Sequence, residues 1–379
     1  VLALLTLAPI AYAQSSKLRV VTWNVSDYDS GERINDFRTA IYGVNPANSL
    51  SMSPDVFIGQ EFMNSAAVTG FLSNVLNGAA GSPGDWAAAA FPGSSGTQNS
   101  SGESVFFYRT SKVSFLGSTI VNAAADLGTT GTDQPRNTLR FDVQVSGTSE
   151  RVGMYSVHMK SGSSSANQQQ RLGEAQRILS NAQGTDTNGG AAGGGLPSGY
   201  HWLVAGDFNI QSASQMAFTT LAGTSVTDGP LFDPINTYDS WNNNNSFKFV
   251  HTQDPRATPG GMDDRLDMIL LSQSLKSGAL SYVGNSSLAY STSTWNDPNH
   301  SYRVWGNDGQ HSLNGDMTLT GNQMVGTTIA NAIYNTVPTA GGHLPVFLDL
   351  AYNASVPEPG SLCLLGLALL GGAALWRRR

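Results

Sequence analysis

The sequence predicts two mixed β-sheets packed face to face with helices outside, and three features of the 379-residue chain carry that prediction. β-Branched runs alternate with segments whose apolar residues recur at helical spacing. Short Gly, Asn and Ser turns also join one run directly to the next, so the sheets are expected to be mixed. Neither an internal repeat nor a Pro/Gly linker divides the middle, and residues 17–353 read as one domain.

Taken in order, residues 18–25 (LRVVTWNV) form a strand that closes on Asn24. Residues 32–42 space Ile34, Phe37 and Ile41 as an amphipathic helix. A second strand, 55–61 (DVFIGQE), ends on a carboxylate, and 66–76 reads as a helix. Residues 104–109, 139–145 and 152–158 are three further strands. The clearest helix is 167–182, with Leu172, Ala175, Ile178, Leu179 and Ala182 on one stripe. The Gly-rich stretch 184–200 is expected to be a flexible surface loop. Strands follow at 201–209, 247–252, 266–272 and 345–351.

Hydrophobic residues make up 40% of the chain, enough for a sizeable core, while charged residues are only 12%, about half the usual share. A surface rich in Gly, Ser, Asn and Thr suits an exported protein. The net charge of −7 excludes nucleic-acid binding through a broad basic face. It leaves room for phosphate recognition by a cation and a few Arg residues. The lone Cys363 permits no disulfide within the chain and no Cys-based metal site.

At the start, residues 1–10 are apolar and lead to Ala11-Tyr12-Ala13, the core and cleavage site of a secretory signal whose basic leader is not part of this sequence (1–13). At the other end, 362–376 is uncharged and apolar and is followed by Arg377-Arg378-Arg379. That is short for a span of about 20 residues, and the Arg cluster reads as cytoplasmic. Pro357-Glu358-Pro359 stands just upstream. Residues 356–379 thus resemble the PEP-CTERM sorting signal of Gram-negative bacteria. The resemblance implies export, transient membrane association through a C-terminal helix, and processing by an exosortase. Delivery would be to the cell surface or extracellular matrix.

Polar residues recur where the strands end. Asn24, Glu61, His158, Asp207 and Asn209 close strands, Asp267 opens one after Arg265, and His343 precedes the last. Strand ends along one sheet edge are where sites assemble in α/β folds. Carboxylates can hold a hard cation, amides orient phosphate oxygens, and a His with an Asp partner moves a proton. Asp207 and Asn209 are expected on one face if the strand continues through them.

The motifs Thr22-Trp23-Asn24-Val25, Gly59-Gln60-Glu61, Ser156-Val157-His158-Met159-Lys160-Ser161, Gly206-Asp207-Phe208-Asn209, Arg265-Leu266-Asp267-Met268-Ile269-Leu270 and Gly342-His343-Leu344-Pro345 together resemble the endonuclease/exonuclease/phosphatase superfamily. That resemblance implies a four-layered α/β sandwich and a metal-dependent phosphoesterase acting as a monomer. It makes Glu61 the principal Mg²⁺ ligand with Asn24 beside it; Mn²⁺ and Ca²⁺ accept the same oxygens. His158 would contact the scissile phosphate, Asp207 orient the attacking water, Asn209 bind a phosphate oxygen, and His343 with Asp267 form the acid/base pair. Arg136 and Lys160 are candidates for substrate phosphate. The family pattern places an Asp before the last His, where this chain has Gly342. A secreted nuclease is the first expectation. The alternatives are a phosphomonoesterase, a phospholipid phosphodiesterase, or a non-catalytic matrix protein on an enzyme scaffold. Trp23 and Phe208 are expected in the core, Arg171 at the surface or in packing, and His251, His300 and His311 at the surface.

Overall fold

The computed structural model describes residues 14–92, 102–122, 136–185, 194–258, 260–337 and 341–354. The first half runs β1 (Gln14–Tyr28), α1 (Ile34–Tyr42), β2 (Val56–Phe62), α2 (Ser65–Gly70), β3 (Trp86–Ala88), β4 (Glu103–Arg109), β5 (Val113–Asn122), β6 (Thr138–Val145) and β7 (Arg151–His158). The second half runs α3 (Ser165–Ala182), β8 (His201–Asp207), α4 (Met216–Ala222), β9 (Leu231–Phe232), β10 (Asp267–Ser272), β11 (Leu280–Tyr282), β12 (Arg303–Val304), α5 (Gly326–Thr336) and β13 (Val346–Ala354).

One sheet has the order β11-β13-β1-β2-β4-β3, with β12 also paired to β13, and the other β5-β6-β7-β8-β10-β9. Each sheet contains one parallel pair, β1 with β2 and β7 with β8; the other pairs are antiparallel. Parallel neighbours need a crossover, and α1 and α3 lie in those two connections. Phe106 of β4 and Phe141 of β6 stack across the sheet interface at 4.8 Å.

Outside the first sheet, Phe37 of α1 meets Trp23 edge-on at 5.1 Å, and Tyr28, Phe57, Phe62, Phe71 and Phe107 extend this aromatic layer. Outside the second sheet, Ala175 and Ile178 of α3 and Phe218 of α4 close over Tyr155, Val157 and Phe208. The result is four layers, helix, sheet, sheet, helix, as expected.

Several local expectations change. Residues 245–250 form a 3₁₀ helix, not a strand: the Asn244 side chain accepts Ser246 N–H and its carbonyl accepts Phe247 N–H, which starts a tight turn in a segment whose apolar alternation mimics a strand. The helix expected at 66–76 is α2 followed by a π-helix at Phe71–Leu76. Arg171 is fully buried, and His251, His300 and His311 are buried too. Each is held by polar partners or aromatic neighbours in loops that fold inward, such as Trp241 O for His251 at 3.0 Å. The segments 1–13, 186–193 and 355–379 lie outside the described residues, and with them the signal, the middle of the Gly-rich loop and the sorting tail. Among the described residues no helix is long and apolar enough to cross a membrane.

Candidate active site

Alternation along β1 turns Trp23 toward α1 and leaves Thr22 and Asn24 facing the second sheet. Gln60, in register with Asn24 on β2, donates to Thr22 Oγ1 at 3.2 Å and across the interface to Ser156 Oγ of β7 at 3.3 Å. Glu61 would then face outward. Its φ of 63° breaks the pleat and returns the carboxylate to the inner edge, at a conformational cost a non-Gly residue carries only where surroundings enforce it. Gly102 is part of that enforcement. A Cβ there would stand 2.7–2.9 Å from the Glu61 and Phe62 backbone, and Gly102 itself has φ +67°.

Glu61 is held at both oxygens. Oε1 accepts Asn24 Nδ2 at 2.9 Å and Oε2 accepts Asp27 N–H at 2.9 Å. Asn24 also places Nδ2 3.4 Å from Asp207 Oδ2, and its Oδ1 accepts Ser26 N–H. Asn24 therefore spans two carboxylates as a donor and orients Glu61. From the second sheet, His158 Nε2 stands 3.4 Å from Asp207 Oδ2 and 3.7 Å from Glu61 Oε1. His343 Nε2 is 3.7 Å from the same Asp207 oxygen, and its Nδ1 meets Asp267 Oδ2 at 2.7 Å. Glu61, Arg136, His158, Asp207, Asn209 and His343 line one cleft of about 220 Å³.

Asn209 reaches this cleft differently from the expectation. The strand ends at Asp207, and Asn209 has φ 51°; its N–H donates to Asp207 Oδ1 at 2.9 Å and its Nδ2 to Met159 O at 3.0 Å. Lys160 is not in the cleft lining, whereas Ser161 is. The Lys160 backbone is engaged behind it, N–H to Glu174 Oε1 at 3.1 Å and carbonyl to Arg171. Ser26 and Asp27, in the left-handed end of β1, and Gln253 and Gly341, in loops, also line the cleft; no strand-end pattern marks them. The Gly342 backbone points the missing Cβ straight at Val337, 2.1 Å from Cγ1. A carboxylate at this position has no room unless Val337 moves.

Charge in the cleft is tuned by burial. Burial pushes Asp207 up to about 7, against the pull of His343 and with a push from Asp267. Burial raises Glu61 as well, opposed by the Asn24 hydrogen bond. For His343, burial favours the neutral ring, but Asp267 and Asp207 outweigh it and lift the imidazole to about 10. His158 moves far below its ordinary value through burial, helped by Arg136 and His343. A protonated His343 thus sits beside a neutral His158 and two buried carboxylates, of which Glu61, with His343 and Arg136 acting only through space, is short of a directly bonded cation.

That shortage fits a divalent cation at Glu61: a buried carboxylate bonded only to neutral N–H donors, with Asp207 beyond the shared Asn24 amide. Asp207, Asp267 and His343 also bring ligand atoms within 4.8 Å of one another. There Asp267 and His343 already bond each other at 2.7 Å, which leaves the trio less open to a cation than Glu61.

Thr252 ties the pair together and was not foreseen. Its hydroxyl oxygen accepts the N–H groups of Leu266 and Asp267 at 3.0 and 3.1 Å, and its carbonyl accepts Leu344 N–H at 2.8 Å. Thr252→Val orphans two buried amides and is expected to cost about 1–3 kcal/mol in denaturant unfolding. Thr252→Ser keeps the oxygen and should recover most of it; equal losses in both variants would contradict this account.

No curated protein matches the chain. Among solved structures it is similar to D. rerio TDP2 complexed with a single-strand DNA product (15% identity, 88% of this chain and 99% of that one, TM-score 0.48). It is also similar to an endonuclease/exonuclease/phosphatase family protein of Bacteroides thetaiotaomicron (13%, 90% and 99%, TM-score 0.46). A mannosyl-6-phosphatase of the same organism is a third (14%, 88% and 99%, TM-score 0.44). Residues 355–379 match the PEP-CTERM protein-sorting motif, which marks the chain for export and surface association.

Proposed function

We propose that the domain is a divalent-cation-dependent phosphoesterase that adds water to phosphorus, acting outside the cell as a nuclease. One observation carries the reading: Asp207 stands within 3.4–3.7 Å of Asn24, His158 and His343, and His343 is bonded to Asp267 at 2.7 Å, all at one cleft. Asp207, poised near neutrality, accepts the proton of the attacking water. His343, kept protonated by Asp267 and Asp207, donates to the oxygen that leaves. Asp267 holds its tautomer and ring orientation. His158, Asn209 and Arg136 face the phosphoryl oxygens. Glu61, oriented by Asn24, would hold the divalent cation, which when bound would supply charge neutralisation at phosphorus.

A second reading, hydrolysis of small phosphate esters or lipid phosphodiesters, draws on the cleft's size and its single Arg among the lining residues. A polyanion gains most of its affinity from many basic contacts. The test compares supercoiled plasmid, bis(p-nitrophenyl) phosphate, a phospholipid and p-nitrophenyl phosphate with Mg²⁺, Mn²⁺ or chelator. Cation-dependent nicking supports the nuclease, and turnover of the small esters or lipid alone selects the second reading. Inertness toward all four overturns both. Glu61→Gln is expected to lower turnover by about 10²-fold or more and to weaken Mn²⁺ binding read by electron paramagnetic resonance. Unchanged Mn²⁺ affinity would move the cation elsewhere.

A further inference from the structure

Among the described residues, a group of three cationic side chains gathers away from the cleft. On the outer face of the first sheet, Lys17 and Arg19 of β1 and Asp349 of β13 border a cavity of about 370 Å³ closed by the segment that leads into β12. Lys17 and Arg19 share the strand face of Trp23, opposite to Asn24. Arg19 is also five residues from Asn24, about 17 Å along an extended strand. The cavity and the cleft are separate.

Its walls are preorganised. Arg19 forks onto Asp349 at 2.7 and 3.1 Å, is braced by the carbonyls of Ser51 and Met52, and lies 4.4 Å over the Phe347 ring. Arg303 is fixed by four neutral acceptors: the carbonyls of His300, Tyr302 and Asp297 at 2.6, 2.7 and 3.0 Å, and Asn296 Oδ1 at 3.2 Å. Among the described residues it has no carboxylate partner. Lys17, 61% exposed at the rim, reaches Asp349 only at 3.8 Å. Asp297, behind the wall, spends its carboxylate on Ser291 and Asn299 N–H groups. Three cations therefore face one lining carboxylate, in a chain whose net charge is −7. Phe347 and Trp295 supply flat apolar surface beside them.

We propose that this cavity is a second binding site, for a small organic anion with a flat apolar body. The Nη N–H groups of Arg303 and most of those of Arg19 are spent on the wall itself. It is therefore their fixed charge, with the exposed Lys17 ammonium as the donor, that draws a carboxylate, sulfonate or phosphate, and the Trp295 ring takes the flat body. A cavity of this volume is of the size that takes small ligands. The site is independent of the hydrolytic reading and stands or falls by binding alone.

The probe is 8-anilinonaphthalene-1-sulfonate, titrated into the folded protein and followed by fluorescence and calorimetry. One saturable site per chain is expected, with a thermal midpoint that rises with probe concentration. Trp295→Ala and Arg303→Gln should each weaken binding about tenfold or more, and the exposed Lys17→Glu several-fold. Glu61→Gln, in the cleft, should leave it unchanged. Lys17→Glu gives up only the exposed 3.8 Å approach to Asp349, so it keeps the test valid should Arg303→Gln fail to fold. Non-saturable binding, equal affinity for the uncharged N-phenyl-1-naphthylamine, or indifference to Lys17→Glu and Trp295→Ala overturns the proposal.

Discussion

Replacing His343 by alanine is expected to lower kcat for the cleaved phosphate ester by about 10²–10⁴-fold, the usual worth of a positioned acid or base. The ring is buried, bonded to Asp267 at 2.7 Å and 3.7 Å from Asp207, and a water entering the vacated space has no cationic acid to offer. Its protonated state is a product of those two carboxylates, and Asp267→Asn removes one of them while keeping the shape. That variant should also lose turnover, because an amide can present its N–H to Nδ1 and select the wrong tautomer. The informative measurement is the double variant. If the two residues act as a unit, His343→Ala with Asp267→Asn costs about as much as His343→Ala alone. Losses that multiply would mean that Asp267 serves some other group, and the proton relay would have to be redrawn.

The parts of this site legible in the sequence are those set by local pattern. Apolar runs that stop on His158 and Asp207 mark strand ends, and those that stop on Asn24 and Glu61 mark where the regular β1–β2 pairing breaks, although β1 continues to Tyr28 and β2 to Phe62. The parallel pairs β1–β2 and β7–β8 send all four to one edge. The pairing of His343 with Asp267 came from the ordered motifs, since 76 residues separate them. What stayed hidden depends on tertiary contact. Nothing local announces that Glu61 takes a left-handed φ, that Gly102 lies against its backbone, or that Thr252 bonds both Asp267 and Leu344. The strand β5 was missed because irregularities at Phe115/Gly117 and Ile120/Asn122 break its alternation. Helices α4 and α5 start without a side-chain cap, so the usual start signal is missing. The three buried histidines look like surface residues among Asn, Asp and Gly until the loops carrying them are folded inward.

The largest stability effect is expected from Asp233→Ala. Arg265 opens the motif that carries Asp267, and its guanidinium meets Asp233 through two bonds, Nη1–Oδ2 at 2.7 Å and Nη2–Oδ1 at 2.9 Å, with neither side chain exposed to solvent. Thr237 Oγ1 adds 2.6 Å to Oδ2, and Trp241 and Tyr302 flank the cation at 5.3 and 5.7 Å. Removing the carboxylate leaves a buried, unpaired guanidinium, which costs about 3–5 kcal/mol, a large part of the 5–15 kcal/mol typical of a whole domain. Burial alone would raise the Asp233 pKa; Arg265 and Thr237 overcome it and hold it below the ordinary value. The pair's contribution is thus present above the unfolded Asp pKa and is lost as pH falls through the lowered folded one. In Asp233→Ala that acid-side slope should disappear along with the stability. Asp233→Leu combined with Arg265→Met removes both charges and should recover much of the loss, because two apolar groups of similar volume need no partner. Urea unfolding of the three proteins decides the matter. A loss below about 1 kcal/mol in Asp233→Ala would show that water reaches Arg265 and that the pair is screened like a surface bridge.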